Sequence, residues 1–166
     1  MNNLKAFEIR WGDLDPNRHV ANTSFSAFFN ETRMWFLAQE GFTQASFEKY
    51  EMGPIVVAEE FYYLKEVMPN EKVHTDIELL GNTENYKFIK FAHSLYNEAG
   101  KQAAYSEVLF TWLDLKARKI IIPPQEVLEI LENMPKAPNY HVFSESDTRT
   151  NKIPKKNLNN GLVFAV

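Results

Sequence analysis

The chain contains no cysteine. That excludes disulfides, thiolate nucleophiles and Cys-ligated metals, and it agrees with a reducing compartment. Long hydrophobic runs are missing too. The opening residues MNNLKAFEIRWGDLD lack an apolar stretch of signal-peptide length, and no segment approaches the roughly 20 apolar residues of a membrane span. A cytoplasmic protein without a membrane span is the expectation. Positive charge is not in excess: the net charge is −4, with acids and bases interspersed. This excludes a basic domain of the kind that binds nucleic acid non-specifically. No G-x-S-x-G elbow, Walker loop or dinucleotide fingerprint occurs. His74, His93 and His141 are scattered without H-x-x-x-H spacing, so no metal site is expected.

What the chain does have is aromatic bulk. Hydrophobic residues make up 45% of its 166 residues, which suits one domain with a sizeable core. The aromatic share is 14%, with 13 Phe, enough to fill a core between a helix and a sheet or to line an acyl tunnel.

The most informative stretch runs from Arg10 to Leu37. Phe7, Ile9 and Trp11 alternate with Glu8 and Arg10, the period of a strand. Gly12, Asp13, Asp15, Pro16 and Asn17 then break the pattern with turn residues. Asn22, Thr23 and Ser24 are helix-capping types, and from Phe25 apolar residues recur at helical spacing through Phe28, Phe29, Thr32 and Phe36. Ala27, Met34, Trp35 and Leu37 widen the apolar face, so a helix over 21–40 buried on most sides is predicted, closed by Gly41. This layout aims the Asp15 carboxylate toward the free N–H groups at the helix start.

Strand-like runs follow over 55–67, 73–79, 86–96 and 103–115, then a short run over 120–122. Gly81-Asn82 and Asn97–Gly100 read as turns, and Pro123-Pro124 as the start of a short helix with Pro at its first position. Strands joined by short turns argue for an antiparallel sheet, and the long helix before them for an α+β domain. Beyond 136 the composition shifts to Pro, Ser, Asn and Lys. Residues 1–136 are therefore read as one domain and 137–166 as an extended or loop-rich extension, its apolar end docking on the domain or on a neighbouring subunit.

The segment Asp13-Leu14-Asp15-Pro16-Asn17-Arg18-His19-Val20-Ala21-Asn22-Thr23-Ser24-Phe25, with Glu31 further on, resembles the signature of hotdog-fold acyl-CoA thioesterases of the 4-hydroxybenzoyl-CoA thioesterase-like group. Arg18 stands at the usual glycine position and Phe25 at the usual tyrosine. The similarity continues through FYYLKEVMPNEKV, YKFIKFAHSLYNEAGK and the run ending in IIPPQEV. It implies a hotdog fold, an antiparallel sheet wrapped around one long central helix. It implies hydrolysis of acyl-CoA to a carboxylic acid and CoA without a further cofactor, in a homodimer or homotetramer.

Spacing alone favours reading Asp15 as a turn residue, since Asp-Pro-Asn is a good turn; the resemblance reverses that and assigns it as nucleophile or general base. The helix start at Asn22 and Thr23 supplies the N–H donor for the thioester carbonyl, and the Asn22 side chain either assists or caps the helix. His19 either orients Asp15 or is structural. Glu31 is a second candidate carboxylate or a buried, satisfied residue. Asp13, two residues before Asp15, is a turn residue rather than its acid–base partner. Coenzyme A phosphates need Lys or Arg at the site mouth; Lys65, Lys87, Lys90 and Arg118 are available, and no spacing selects among them. An acyl-carrier-protein thioesterase and a non-catalytic acyl-thioester-binding protein are the alternatives.

Overall fold

A computed structural model describes residues 3–148. In chain order the elements are β1 (Lys5–Glu8), α1 (Asn22–Gln39), α2 (Gln44–Lys49), β2 (Met52–Tyr63), β3 (Lys72–Thr75), β4 (Glu78–Asn82), β5 (Phe88–Tyr96), β6 (Gln102–Asp114), β7 (Lys119–Ile121), α3 (Gln125–Asn133) and β8 (Lys136–Val142). β6 is central. It pairs with β2 along one edge, and with β5 and then β7 along the other. β3 and β4 lie end to end on the far side of β5, with β1 beyond β3 and β8 beyond β4. Every pairing is antiparallel except β4 with β8.

The sheet reaches around α1. Phe28 meets Phe7 of β1 at 4.9 Å between ring centroids, and Phe29 meets Phe61 of β2, the opposite edge, at 6.0 Å. Two apolar clusters fill the space. Phe25, Phe28 and Phe29 pack with Val67, Val73 and Leu95; Phe36 and Leu37 pack with Trp112, Phe110 and the α3 residues Val127 and Leu131. The predicted apolar positions Phe25, Phe28, Phe29, Thr32 and Phe36 are all buried. The predicted widening is narrower in fact: Ala27 is exposed, and Met34 and Trp35 are half-buried. α1 ends as predicted at Gly41, whose φ of +92° a side chain would strain, and Phe42 N–H closes the end on Leu37 O at 2.8 Å.

Several predicted boundaries move. β1 stops at Glu8, and Trp11–Asp13 form a short 3-10 turn that leaves Trp11 90% exposed. The Asp13 carboxylate accepts the Arg10 N–H at 2.7 Å, a local bond that competes with the strand ladder. The predicted strand over 73–79 is split at Asp76-Ile77. Asp76 is buried, and its oxygens accept Ser94 N–H at 2.6 Å and Tyr96 O–H at 2.8 Å. Gly81-Asn82 is strand rather than turn. A Cβ at Gly81 would lie 2.5 Å from His141 O, so the missing side chain is what lets β8 come alongside β4. The sheet thus continues to Val142, past the boundary placed at 136; the remainder of the tail from 149, including its apolar end, lies outside the described residues. Pro124 sits at the N-cap of α3, one place before its predicted position.

Between the two apolar clusters lies a polar layer. Thr32 donates to Phe28 O at 2.8 Å and hydrogen-bonds Thr75, whose hydroxyl is therefore the donor of that pair. Arg33 is 2% exposed; its Nη1 meets Glu59 Oε1 and His93 Nε2, each at 3.2 Å. His93 Nδ1 faces Asp76 O at 2.8 Å. A neutral ring carrying its proton on Nδ1 satisfies both contacts.

Burial, and then the Arg33 charge, push the His93 pKa down from 6.5 to about 3. The unfolded chain binds a proton near pH 6.5 and the folded chain does not until about 3, so the stabilisation is present above 6.5 and lost as pH falls. From this group alone, stability drops by about 1.4 kcal/mol per pH unit below 6.5. Asp76, raised by burial, tilts the lower end of that window the other way. Urea midpoints at pH 7, 6 and 5 should fall steeply in the wild type and less steeply in His93→Gln. Parallel curves would remove His93 as the cause.

Candidate active site

Asp15 sits in a tight loop between the 3-10 turn and α1. Asp15 N–H donates to His19 O and Arg18 N–H to Asp15 O, both at 3.0 Å. Leu14 bridges Val20, Ala21 N–H donates to Asp13 O at 2.8 Å, and Ser24 Oγ donates to the same carbonyl at 3.0 Å. The loop is thereby fastened to the first turn of α1. Asp15 is a turn residue, with Oδ1 accepting Asn17 N–H at 2.8 Å. Its Oδ2 faces Asn17 Nδ2 at 3.3 Å and His19 Nδ1 at 3.6 Å. Neither carboxylate oxygen is fully committed to the turn, so the structural role leaves the group usable for chemistry.

The second wall comes from the end of β2. Val20 N–H donates to Val67 O at 2.9 Å, and Leu64 and Lys65 N–H both donate to Ala103 O, which lays the segment 63–66 beside the helix start. Asp15, His19, Asn22, Phe25, Tyr63 and Lys65 line the resulting cleft of about 440 Å³, with Val20, Leu64 and Glu66. Phe25 and Tyr63 meet edge to face at 5.4 Å, and Tyr63 stacks on Phe61 at 5.9 Å. An acidic loop, a helix start and an aromatic wall therefore meet in one place.

Three of the predicted site residues, Asp15, His19 and Asn22, line this cleft. The N-cap of α1 is Ala21, however, and its helix start has no side-chain cap, so Asn22 does not cap the helix. Among the described residues the N–H groups of Asn22 and Thr23 have no acceptor. They are the free donors that a polarised carbonyl oxygen requires. Thr23 is exposed on the first turn and does not line the cleft. Glu31 lies elsewhere: its side chain is 62% exposed and pairs with Lys5 at 3.2 Å, on the β1 side of the helix. Burial within the subunit is not its state, because its helix position faces away from the core that holds Thr32 and Arg33. Among the described residues no cluster of His, Asp or Glu is arranged for a metal ion, and no helix is long and apolar enough to cross a membrane.

Sequence reasoning did not identify Tyr63, Leu64 and Glu66 as a wall, and left Lys65 among unassigned cations. The one signal was the run Phe61-Tyr62-Tyr63-Leu64, too apolar for a strand end that leaves Tyr62, Tyr63 and Leu64 about half exposed.

No curated protein sequence matches the chain. Solved structures do. A probable thioesterase from Escherichia coli is 23% identical, with a TM-score of 0.67 over 81% of this chain and 100% of that one. A Staphylococcus aureus hypothetical protein in complex with CoA is 17% identical, with a TM-score of 0.71 over 91% and 94%. A DHNA-CoA thioesterase from Staphylococcus aureus is 18% identical, with a TM-score of 0.67 over 72% and 79%. At these identities the likeness establishes the hotdog fold. A family model for the thioesterase-like superfamily matches residues 9–131, which includes the Asp15 loop, α1 and most of the sheet. The chain belongs to the thioesterase-like superfamily, and thioester hydrolysis is the reaction that this membership assigns to it.

Proposed function

We propose that the protein hydrolyses acyl-CoA thioesters to a carboxylic acid and CoA, at the cleft between the Asp15 loop, the start of α1 and the end of β2. The observation that carries this reading is that Asp15 and Asn22 line one cleft, at a helix start whose first N–H groups have no acceptor among the described residues. The thioester carbonyl oxygen receives those N–H groups, which are fixed in place and aligned with the positive end of the helix dipole. Asp15 acts in one of two ways. As general base it takes a proton from water, the water oxygen bonds the carbonyl carbon, the C–S bond breaks and the thiolate takes up the proton. As nucleophile it bonds that carbon itself, expels the thiolate and leaves an anhydride for water to cleave.

His19, 3.6 Å from Asp15, orients the carboxylate. Phe25, Tyr63 and Leu64 offer an apolar, partly aromatic surface to the acyl group. The reading includes a homodimer or homotetramer in which a second subunit covers the exposed Tyr63 and Leu64. The test is free-thiol release from short, long and aromatic acyl-CoAs. Turnover of at least one class is the expected result, and the preferred class names the acyl group. Release from carrier-protein thioesters alone would replace CoA as the substrate, and tight acyl-CoA binding without release would replace hydrolysis by binding.

A further inference from the structure

The chain has seven tyrosines, and five of their hydroxyls are committed within the subunit. Tyr50 donates to Glu126 at 2.8 Å, Tyr62 to Glu60 at 2.7 Å, Tyr96 to Asp76 at 2.8 Å, Tyr105 to Glu107 at 3.0 Å and Tyr140 to Asn82 at 2.8 Å. Among the described residues the Tyr63 and Tyr86 hydroxyls have no acceptor. Tyr86 packs on the apolar cluster that holds Trp112 and the α3 residues, whereas Tyr63 lines the Asp15 cleft. Exposure does not account for the difference: Tyr62 is 47% exposed and has a partner, while Tyr63 is 51% exposed and has none.

Tyr63 is also held still. It is the last residue of β2, in register with Ala104, and the next two N–H groups close on Ala103 O at 2.8 and 3.0 Å. Its ring stacks on Phe61, Phe61 on Phe29 and Phe29 on His93, with interplanar angles of 7°, 14° and 13°. Phe29 and His93 are fully buried, so the stack is rooted in the core and ends at the cleft in a phenol. Phe25, in the first turn of α1, meets that ring edge to face at 5.4 Å and brings no hydroxyl of its own. The Tyr63 ring therefore stands beside the helix start. Of the other side chains there that can donate, His19 faces Val20 O and Asp15, Lys65 is a long flexible chain, and Asn22 has no ring by which to be packed in place.

We propose that the Tyr63 hydroxyl is a further donor to the thioester carbonyl oxygen, joining the N–H groups of the helix start as that oxygen gains negative charge. The inference rests on the acyl-CoA reading above and adds to it a residue from the opposite wall of the cleft. A donor fixed by packing needs no reorganisation while the charge develops, which is where such a bond acts most strongly. The second subunit proposed above to cover Tyr63 and Leu64 closes this hydroxyl in with the substrate, and shielding from water strengthens the bond further.

The experiment measures kcat, KM and the urea midpoint of wild type, Tyr63→Phe and Tyr62→Phe on the preferred acyl-CoA. Tyr63→Phe keeps the ring stack and removes only the hydroxyl. Its kcat should fall about 10²-fold, the worth of one oxyanion donor, and kcat/KM should fall by the same factor because the bond is made in the transition state. Its urea midpoint should match wild type, since the hydroxyl has no partner to lose among the described residues. Tyr62→Phe loses a hydroxyl that donates to Glu60 and should leave kcat unchanged. A Tyr63→Phe kcat within about twofold of wild type overturns the contact and leaves hydrolysis standing. A rise in KM alone does the same, because it places the hydroxyl on an unreactive part of the substrate. So does an equal loss in Tyr62→Phe, or a lowered midpoint beside the lost turnover, either of which makes the effect structural. Absence of wild-type turnover on every class of acyl-CoA overturns the underlying reading instead.

Discussion

Asp15→Asn should lower kcat on the preferred acyl-CoA by about 10²- to 10⁴-fold, the usual worth of a positioned acid–base or nucleophilic group. The substitution is nearly isosteric. The new Oδ1 still accepts Asn17 N–H, which in the wild type spans 2.8 Å, so the turn persists. The bonds that fasten the loop to α1 run through the Asp13, Asp15 and His19 carbonyls and do not use the Asp15 side chain. What disappears is the negative charge and the ability to accept a proton or attack a carbonyl. Unfolding by urea should accordingly change little while turnover collapses. Asp15→Ala removes the Asx turn as well and should cost both stability and activity. Turnover of Asp15→Asn within tenfold of wild type would remove this carboxylate from the reaction, and the helix start would then be acting on a water activated elsewhere.

The other large effect belongs to the layer beneath the aromatic wall. Glu59→Ala should destabilise the fold by about 3 kcal/mol, measured as a shift in urea midpoint at constant slope. Arg33 is 2% exposed and has lost its water; burial draws its pKa down, and Glu59 opposes that shift. His93 is neutral and supplies no compensating charge. Arg33 Nε already lacks an acceptor among the described residues, so the guanidinium is incompletely satisfied even with Glu59 in place. The Glu59 side chain keeps 14% exposure, and water reaching its place holds the loss to the lower end of the range for broken buried pairs. Arg33→Met with Glu59→Leu removes both charges together and should recover most of the loss. A single Glu59→Ala that costs under about 1 kcal/mol would show the pair to be incidental.

The central helix was readable because its apolar spacing is unbroken: Phe25 through Phe36 fall on one face, and that face is buried. The hairpins were readable for an equally local reason, the Asn97–Gly100 turn closing with Asn97 N–H on Lys101 O at 2.9 Å. Asp76 was not readable as a break. It sits in phase with the polar side of an alternating run, and only the Ser94 and Tyr96 donors from another strand explain why it turns inward. Nor was Gly81, since a glycine that admits a neighbouring backbone looks the same in sequence as one that makes a turn. β8 carries Pro138 and Asn139, which argue against a strand until the β4 edge is there to receive it.

The site divides along the same line. Asp15, His19 and Asn22 lie within eight consecutive residues and were legible together, whereas the Tyr63–Glu66 wall is brought to them by bonds to Val20 and Ala103 that no local pattern encodes. Nothing local in the sequence marks Arg33 as buried, because its partners, Glu59 and His93, stand 26 and 60 residues away.

Among the described residues β2 pairs only with β6, which leaves one long side of its backbone without a partner strand there. An edge of this kind is a template on which further chains could grow as fibres. Three features blunt it. Pro54 has no N–H to offer, the irregularity between Val56 and Ala58 bends the strand, and Glu59 points a charge inward while Glu60 presents one on the opposite face. The exposed Val56 and Val57 lie at that bend, where a flat apolar ribbon would otherwise be the most adhesive. The same carboxylate that neutralises Arg33 inside the subunit therefore also guards its border against runaway aggregation, so weakening Glu59 would be felt in solubility as well as in fold.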